Sequence, residues 1–390
     1  MSKNKDYIYG LITGILVVIL LNSIAKNIGL IYRYKTNAPL TFDEKTTEIK
    51  SLIDKYYAGD YTQENINEGT YHGIVSGLGD KYSKYMSADE FEEYTQDSEG
   101  RYVGIGVICT VTKNSLVKIV RIFDDSPAAE AGLQIGDIIL GAGDTTYNGE
   151  NYEELVDAIK GEEGTKVPLK IYRIKDGKTS SLTIDVERKT VSFPTVYHEM
   201  LDDKIGYIDI TSFDDVTKEQ FSSALEDLQS QDMERLIVDL RNNPGGLLTT
   251  VREIADKLVG KGYIMYMEYK DGKKDYEYSD ENKIGIPIVI LVNENSASAS
   301  EVLAGCIKDM NEGILVGTTT YGKGVVQNLY RLRDNSGVKL TIAKYYTPSG
   351  VCINGIGIEP NVYVEDDPET PEDEQLDKAI EEIKKINYTP

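Results

Sequence analysis

A chain of 390 residues is long enough for two or three domains, each with its own buried core. Three scattered cysteines (Cys109, Cys306, Cys352) and two histidines (His72, His198) suggest neither a disulfide framework nor a zinc or multi-histidine metal site. Against 42 basic residues stand 65 acidic ones, and the net charge of −23 argues for solubility and against a nucleic-acid partner, which needs clustered Lys and Arg.

The cysteines read as buried, inert thiols, and the histidines as structural or surface residues. No metal or cofactor is expected.

The chain opens on an apolar run, Tyr7 to Ala25, which is free of charge over 19 residues and flanked by Lys3, Lys5, Lys26, Arg33 and Lys35. At about 1.5 Å per residue it nearly spans a ~30 Å hydrocarbon core, so residues 1–35 predict a single-pass membrane helix. A cleaved signal peptide is the alternative, since Ser23-Ile24-Ala25 resembles a small-x-small cleavage site. Both flanks are basic, and the charges do not set the orientation.

Residues 36–100 predict a small helical segment. TFDEKTTEIKSLIDKYY has a polar start and apolar spacing of three and four, and Ser87 with Glu90 forms a capping box for a further short helix.

Residues 101–190 change texture to five short strands and two helical pieces, SPAAEAGL and ENYEELVDAIKG. This β-rich stretch resembles a PDZ domain. By that resemblance Gly104, Ile105, Gly106 and Val107 form the loop whose backbone N–H groups hold a peptide C-terminal carboxylate, while the peptide itself adds to a strand edge.

From 191 to 364 strands alternate with helices, which predicts an α/β core with a mainly parallel sheet. RLIVDL and IPIVILV are almost wholly apolar, as strands covered on both faces are. Sites on such sheets lie in the loops beyond the strand carboxyl ends, and three loops qualify.

DLRNNPGG carries Gly245 and Gly246, whose N–H groups are unobstructed by side chains and suit half of an oxyanion hole. In NENSASASEVLAG, Ser298 and Glu301 have capping-box spacing. Ser298 then sits at a helix N-terminus among small neighbours, with the Ala299 N–H beside it; a plain capping serine is the competing reading.

GTTTYGKGVVQ nearly matches a phosphate loop. Gly324 stands where the magnesium-binding hydroxyl belongs, however, and VVQNLYRL continues as a strand rather than a helix. In a strand Lys323, Val325 and Gln327 share a face, so Gln327 can orient the Lys323 amine. A lysine in a dry pocket has a lowered pKa and can serve as a general base.

Together, DLRNNPGG, NENSASASEVLAG and GTTTYGKGVVQ behind a PDZ-like module resemble the carboxyl-terminal processing peptidases of the S41 serine protease family, over roughly residues 45 to 385. The resemblance implies Ser298 as nucleophile, Lys323 as base and Gln327 as the residue that orients it. It implies oxyanion donors from Gly245 or Gly246 with Ala299, and Ser296 and Ser300 are then not nucleophiles. GLGDKYSKYM departs from the Asp-Pro pair more usual in relatives.

The implied enzyme is an extracytoplasmic serine endopeptidase with a Ser-Lys dyad, held at the membrane or secreted, whose PDZ domain recognises the C-terminal tails of protein or peptide substrates. A non-catalytic scaffold that binds C-termini is the alternative from another class, and it leaves Ser298, Lys323 and Gln327 without a reason.

Residues 365–390 read as an acidic linker and a helix whose apolar stripe, Leu376, Ala379, Ile380, Ile383 and Ile386, packs on its own domain or pairs two copies as a homodimer.

Overall fold

The structure is a computed structural model that describes residues 12–24, 39–175, 177–366 and 370–386. It divides into two compact units, Met1–Gly69 and Thr70–Pro390.

In the first unit residues 12–24 are helical, and Thr41 caps the helix Phe42–Tyr56 with Glu44 as its partner. Among the described residues no helix is long and apolar enough to cross a membrane. The ends of the expected anchor, residues 7–11 and Ala25, lie outside the described residues.

The second unit is built on a six-stranded sheet in the order Val196–Leu201, Ile205–Ile210, Arg235–Asp239, Ile288–Val292, Gly313–Gly317, Val362–Tyr363. Only the first pair is antiparallel. Successive side chains of a strand point to opposite faces, and here both faces are covered. Leu236, Val238, Ile288 and Ile290 pack on one side with the helices Thr217–Ser230, Leu248–Leu258 and Ala299–Asp309. Ile237, Val289 and Leu291 pack on the other side with Ala379 and Ile383 of the C-terminal helix Glu374–Lys385. That double cover is why the strands read as continuous apolar runs. It also uses the apolar stripe of the C-terminal helix within its own unit, so the stripe offers no dimer face.

A second, antiparallel sheet was not anticipated from the sequence. Lys84–Met86, Gly337–Tyr346, Gly262–Tyr269 and Lys274–Ser279 pair in that order, and Val325–Arg331 pairs with Gly337–Tyr346. It joins the end of the lysine loop to the segment just after Asp80, residues 240 positions apart in the chain that meet through Lys81 and Tyr321.

The PDZ-like region forms its own sheet, Val107–Val111, Val117–Ile122, Ile138–Ala142, Lys166–Lys175 and Lys178–Glu187, around a separate core of Ile119, Ile139, Leu155, Leu169 and Ile171. The pair Arg101–Gly104 with Lys189–Ser192 closes its base. Of the thiols only Cys306 is fully buried; Cys109, at the margin of the PDZ-like core, and Cys352 are half-buried. Burial pushes Cys109 up to about 11 and Cys306 up to about 12.

Candidate active site

The strands ending at Asp239, Val292 and Gly317 are adjacent and parallel, so the loops that follow them emerge side by side. Polar bonds then lace the first two loops together. The Asn242 N–H donates to Asn293 Oδ1 at 2.9 Å, and Ala297 N–H and Ser300 Oγ donate to the Asn243 carbonyl at 3.0 and 2.9 Å. Ser296 Oγ donates to the Leu240 carbonyl at 2.8 Å. Ser296 and Ser300 are fully buried and committed to these bonds. Each loop thereby supplies the partners that the other would otherwise leave unsatisfied.

Ser298 differs from both neighbours. It stands at the N-terminus of the helix Ala299–Asp309 with φ 56° and ψ −113°, in the left-handed half of backbone space that L-residues avoid. Such a conformation costs on the order of 1–3 kcal/mol and persists only where its surroundings over-determine it. Here the Glu301 carboxylate accepts the Ser298 N–H at 2.9 Å, as the capping-box spacing foretold, and the Tyr345 hydroxyl donates to the Ser298 carbonyl at 3.3 Å.

Glu301 does more than cap. It is completely buried, and its two oxygens also accept Thr320 Oγ1 at 2.6 Å, the Gly322 N–H at 2.7 Å and the Lys323 N–H at 2.8 Å. The capping-box spacing predicts a helix cap at this position and does not reveal the hub. Its one signal is a glutamate among the small and apolar residues that fill the helix from Ala299 to Ile307.

The glycine loop presses against the serine. A side chain at Gly245 (φ 103°) would meet the Ala297 carbonyl at 2.7 Å and the Ala299 nitrogen at 2.8 Å; one at Gly246 (φ 150°) would meet the Phe213 carbonyl at 2.4 Å. The Gly245 N–H donates to Asn243 Oδ1 at 2.8 Å. Among the described residues the Gly246 and Ala299 N–H groups have no acceptor.

Ser298, Ala299, Gly245, Gly246, Lys323 and Gln327 all line one cavity of about 330 Å³. Leu247, Met265, Val302, Val326 and Leu329 supply its apolar wall, and Asp214 and Lys339 add charge. Burial, followed by the positive charge of Lys339, holds the Lys323 amine below the usual lysine range, while Glu301 opposes the shift. Neither histidine lines the cavity: His198 pairs with Asp227 at 3.0 Å and His72 approaches Glu90 at 3.8 Å.

The expected strand face of Lys323, Val325 and Gln327 is corrected. Lys323 precedes the strand, which starts at Val325, and a register shift between Val326 and Gln327 breaks the alternation. A bulge re-aims the side chains beyond it. Gln327 still reaches the cavity, and its amide donates to Thr341 Oγ1 at 3.3 Å.

A second cavity, of about 270 Å³, lies between the strand Val107–Val111 and the helix Tyr152–Ile159. Ile105, Val107, Leu155, Val156 and Ile159 make it apolar. Gly104 ends the closing strand pair, and Gly106 turns the chain at φ 76°. Burial pushes the Tyr102 phenol up to about 12, opposed by the nearby Gly106 and Val107 backbone N–H groups.

A doubly covered α/β sheet with this loop architecture, joined to a peptide-groove module, defines a serine-type peptidase that carries a PDZ domain. Residues 204–364 match the model of peptidase family S41, and residues 119–173 match a PDZ domain model. The carboxy-terminal processing protease CtpA of Bacillus subtilis is 34% identical over 83% of this chain and 69% of its own length; CtpB of the same organism is 33% identical over 82% and 67%. A solved structure from Bacteroides fragilis assigned to the S41 proteases shares the fold with a TM-score of 0.52 at 18% identity, covering 86% of this chain and 93% of that one. The chain belongs to the carboxy-terminal processing proteases of peptidase family S41.

Proposed function

We propose that the cavity at Ser298 cleaves peptide bonds through a Ser-Lys dyad. The observation that carries the reading is that Ser298 and Lys323 line one cavity while a single buried carboxylate, Glu301, fixes the backbone of both.

With the Lys323 amine neutral, Ser298 Oγ attacks the scissile carbonyl carbon and its proton passes to Lys323 Nζ. The carbonyl oxygen becomes an oxyanion, which the Gly246 and Ala299 N–H groups stabilise; Gly245 is less suited because its N–H is already bound to Asn243. Collapse breaks the C–N bond, the ammonium returns its proton to the leaving amine, and an acyl-Ser298 remains. Water then attacks the ester, losing a proton to Lys323; collapse breaks the bond to Ser298 Oγ, Lys323 returns the proton to that oxygen, and the acid leaves. Gln327, braced by Thr341, orients the amine. No step calls for a metal.

The PDZ groove takes an apolar C-terminal side chain between Val107 and Leu155, and the backbone N–H groups of the Gly104–Val107 loop hold the substrate carboxylate. The apolar run from Tyr7 to Ala25 supports an extracytoplasmic site of action, with the chain anchored or secreted.

The test is cleavage of an unfolded protein by the full chain beside Ser298→Ala and Lys323→Met. Loss of cleavage in both variants with the fold retained supports the dyad, and wild-type turnover in either one removes it.

A further inference from the structure

The segment Asp80–Ser83 has no part in the chemistry above, yet it abuts the lysine. Ser83 Oγ accepts the Thr341 N–H at 3.0 Å and donates to Asp80 Oδ2 at 2.5 Å, while the Tyr82 N–H donates to Asp80 Oδ1 at 3.1 Å. Two residues on, Lys84–Met86 pairs with Gly337–Lys339. The backbone of Tyr82 is therefore pinned to the same strand that carries Thr341 and Lys339.

So pinned, Tyr82 presents its ring to Lys323, whose Nζ stands 5.0 Å from the ring centroid. Lys81 Nζ stands 4.8 Å from the same ring and donates to the Tyr321 hydroxyl at 2.9 Å, which closes a clasp between this segment and the lysine loop. The other lysine of the cavity is treated alike: Lys339 Nζ stands 4.7 Å from the ring of Tyr94. An aromatic face within about 6 Å attracts an ammonium, and more strongly where the pair is desolvated.

We propose that Tyr82 is a positioning residue for peptide cleavage: its ring face docks the Lys323 amine beside the serine loop. The inference rests on the reading of Lys323 as general base. The other groups facing that amine are Glu301 from the serine helix, Tyr321 from its own loop, Asp80 from the same segment as Tyr82, and Lys339 from the neighbouring strand.

A cation–π contact of this size converts to about 0.5–1.5 pH units. Removing the ring face destabilises the ammonium and moves the acid limb of the pH–rate profile to lower pH.

The experiment is the pH dependence of peptide cleavage by the full chain as wild type, Tyr82→Leu and Tyr82→Phe, with Lys323→Met alongside. Leucine keeps the place dry without a ring face. Tyr82→Leu is expected to move the acid limb down by about 0.5–1 pH unit and to lower kcat about 10-fold, with KM changed less than about twofold. Tyr82→Phe keeps the face and is expected to match wild type within about twofold. An unmoved or upward-shifted limb in Tyr82→Leu overturns the proposal, as does equal impairment of Tyr82→Phe. Should Tyr82→Leu fail to fold, Tyr82→Trp decides: its stronger face must move the limb to higher pH, and any other result overturns the inference. Turnover retained in Lys323→Met strikes instead at the dyad itself, whereas a limb abolished in Lys323→Met but indifferent to Tyr82 removes only the role of Tyr82.

Discussion

Ser298 and Lys323 donate their backbone N–H groups to the same oxygen, Oε2 of Glu301, at 2.9 and 2.8 Å. Two residues from different loops are thus held to one point inside the protein. The geometry needs four donors and a carboxylate that accepts at every lone pair. Glu301→Gln puts an amide donor among those donors, where it finds no acceptor. The expected result is a loss of about 2–4 kcal/mol in stability and at least about 100-fold in kcat, read by denaturant melts and by peptide cleavage.

Lys339 acts on Lys323 by charge. Its removal in Lys339→Met takes away a repulsion that favours the neutral amine, so the pKa of Lys323 rises. Only the neutral amine accepts the serine proton, and the acid limb of the pH–rate profile is expected to move to higher pH. Profiles measured from about pH 6 to about pH 9 check the sign, which is opposite to that expected for Tyr82→Leu.

Gly246→Ala tests the glycine loop. The added Cβ meets the Phe213 backbone carbonyl at 2.4 Å, which has no rotamer to move aside, so the loop has to shift. A displacement near 1 Å at an oxyanion donor is expected to lower kcat about 100-fold or more while KM changes little, which single-turnover and steady-state rates separate.

In the PDZ groove, Val156 lines the apolar cavity without belonging to the fully buried core. Val156→Asp is expected to weaken binding of a peptide with an apolar C-terminus at least about 10-fold, because a charge then faces a dry pocket. Turnover of a short peptide that bypasses the groove is expected to stay at the wild-type rate.

The strand–loop–helix order around Ser298 and Gly245 was legible because each motif follows an apolar run and precedes a periodic one. The PDZ-like module was legible by resemblance, through its order of short strands and two helical pieces. The lysine loop was harder. Its strand was foreseen, but the shift at Val326/Gln327 was not, since a bulge depends on the partner strand Gly337–Tyr346, which the sequence reading had not paired with it. The antiparallel sheet escaped because its strands lie far apart in the chain, and local pattern carries no information about which distant strands meet. Glu301 looked like a cap because three of its four donors come from the loop 19 to 22 residues later. Which glycine N–H is free depended on Asn243, whose side chain turns back on Gly245.

The most direct measurement is the site of acylation. The full chain is mixed with a peptide ester substrate, quenched with acid within one turnover, digested and mapped by mass spectrometry. The acyl group is expected on Ser298 in the wild type and absent from Lys323→Met at the same time point. An acyl group on Ser296 or Ser300, or turnover that persists in Ser298→Ala, would contradict the Ser298–Lys323 dyad.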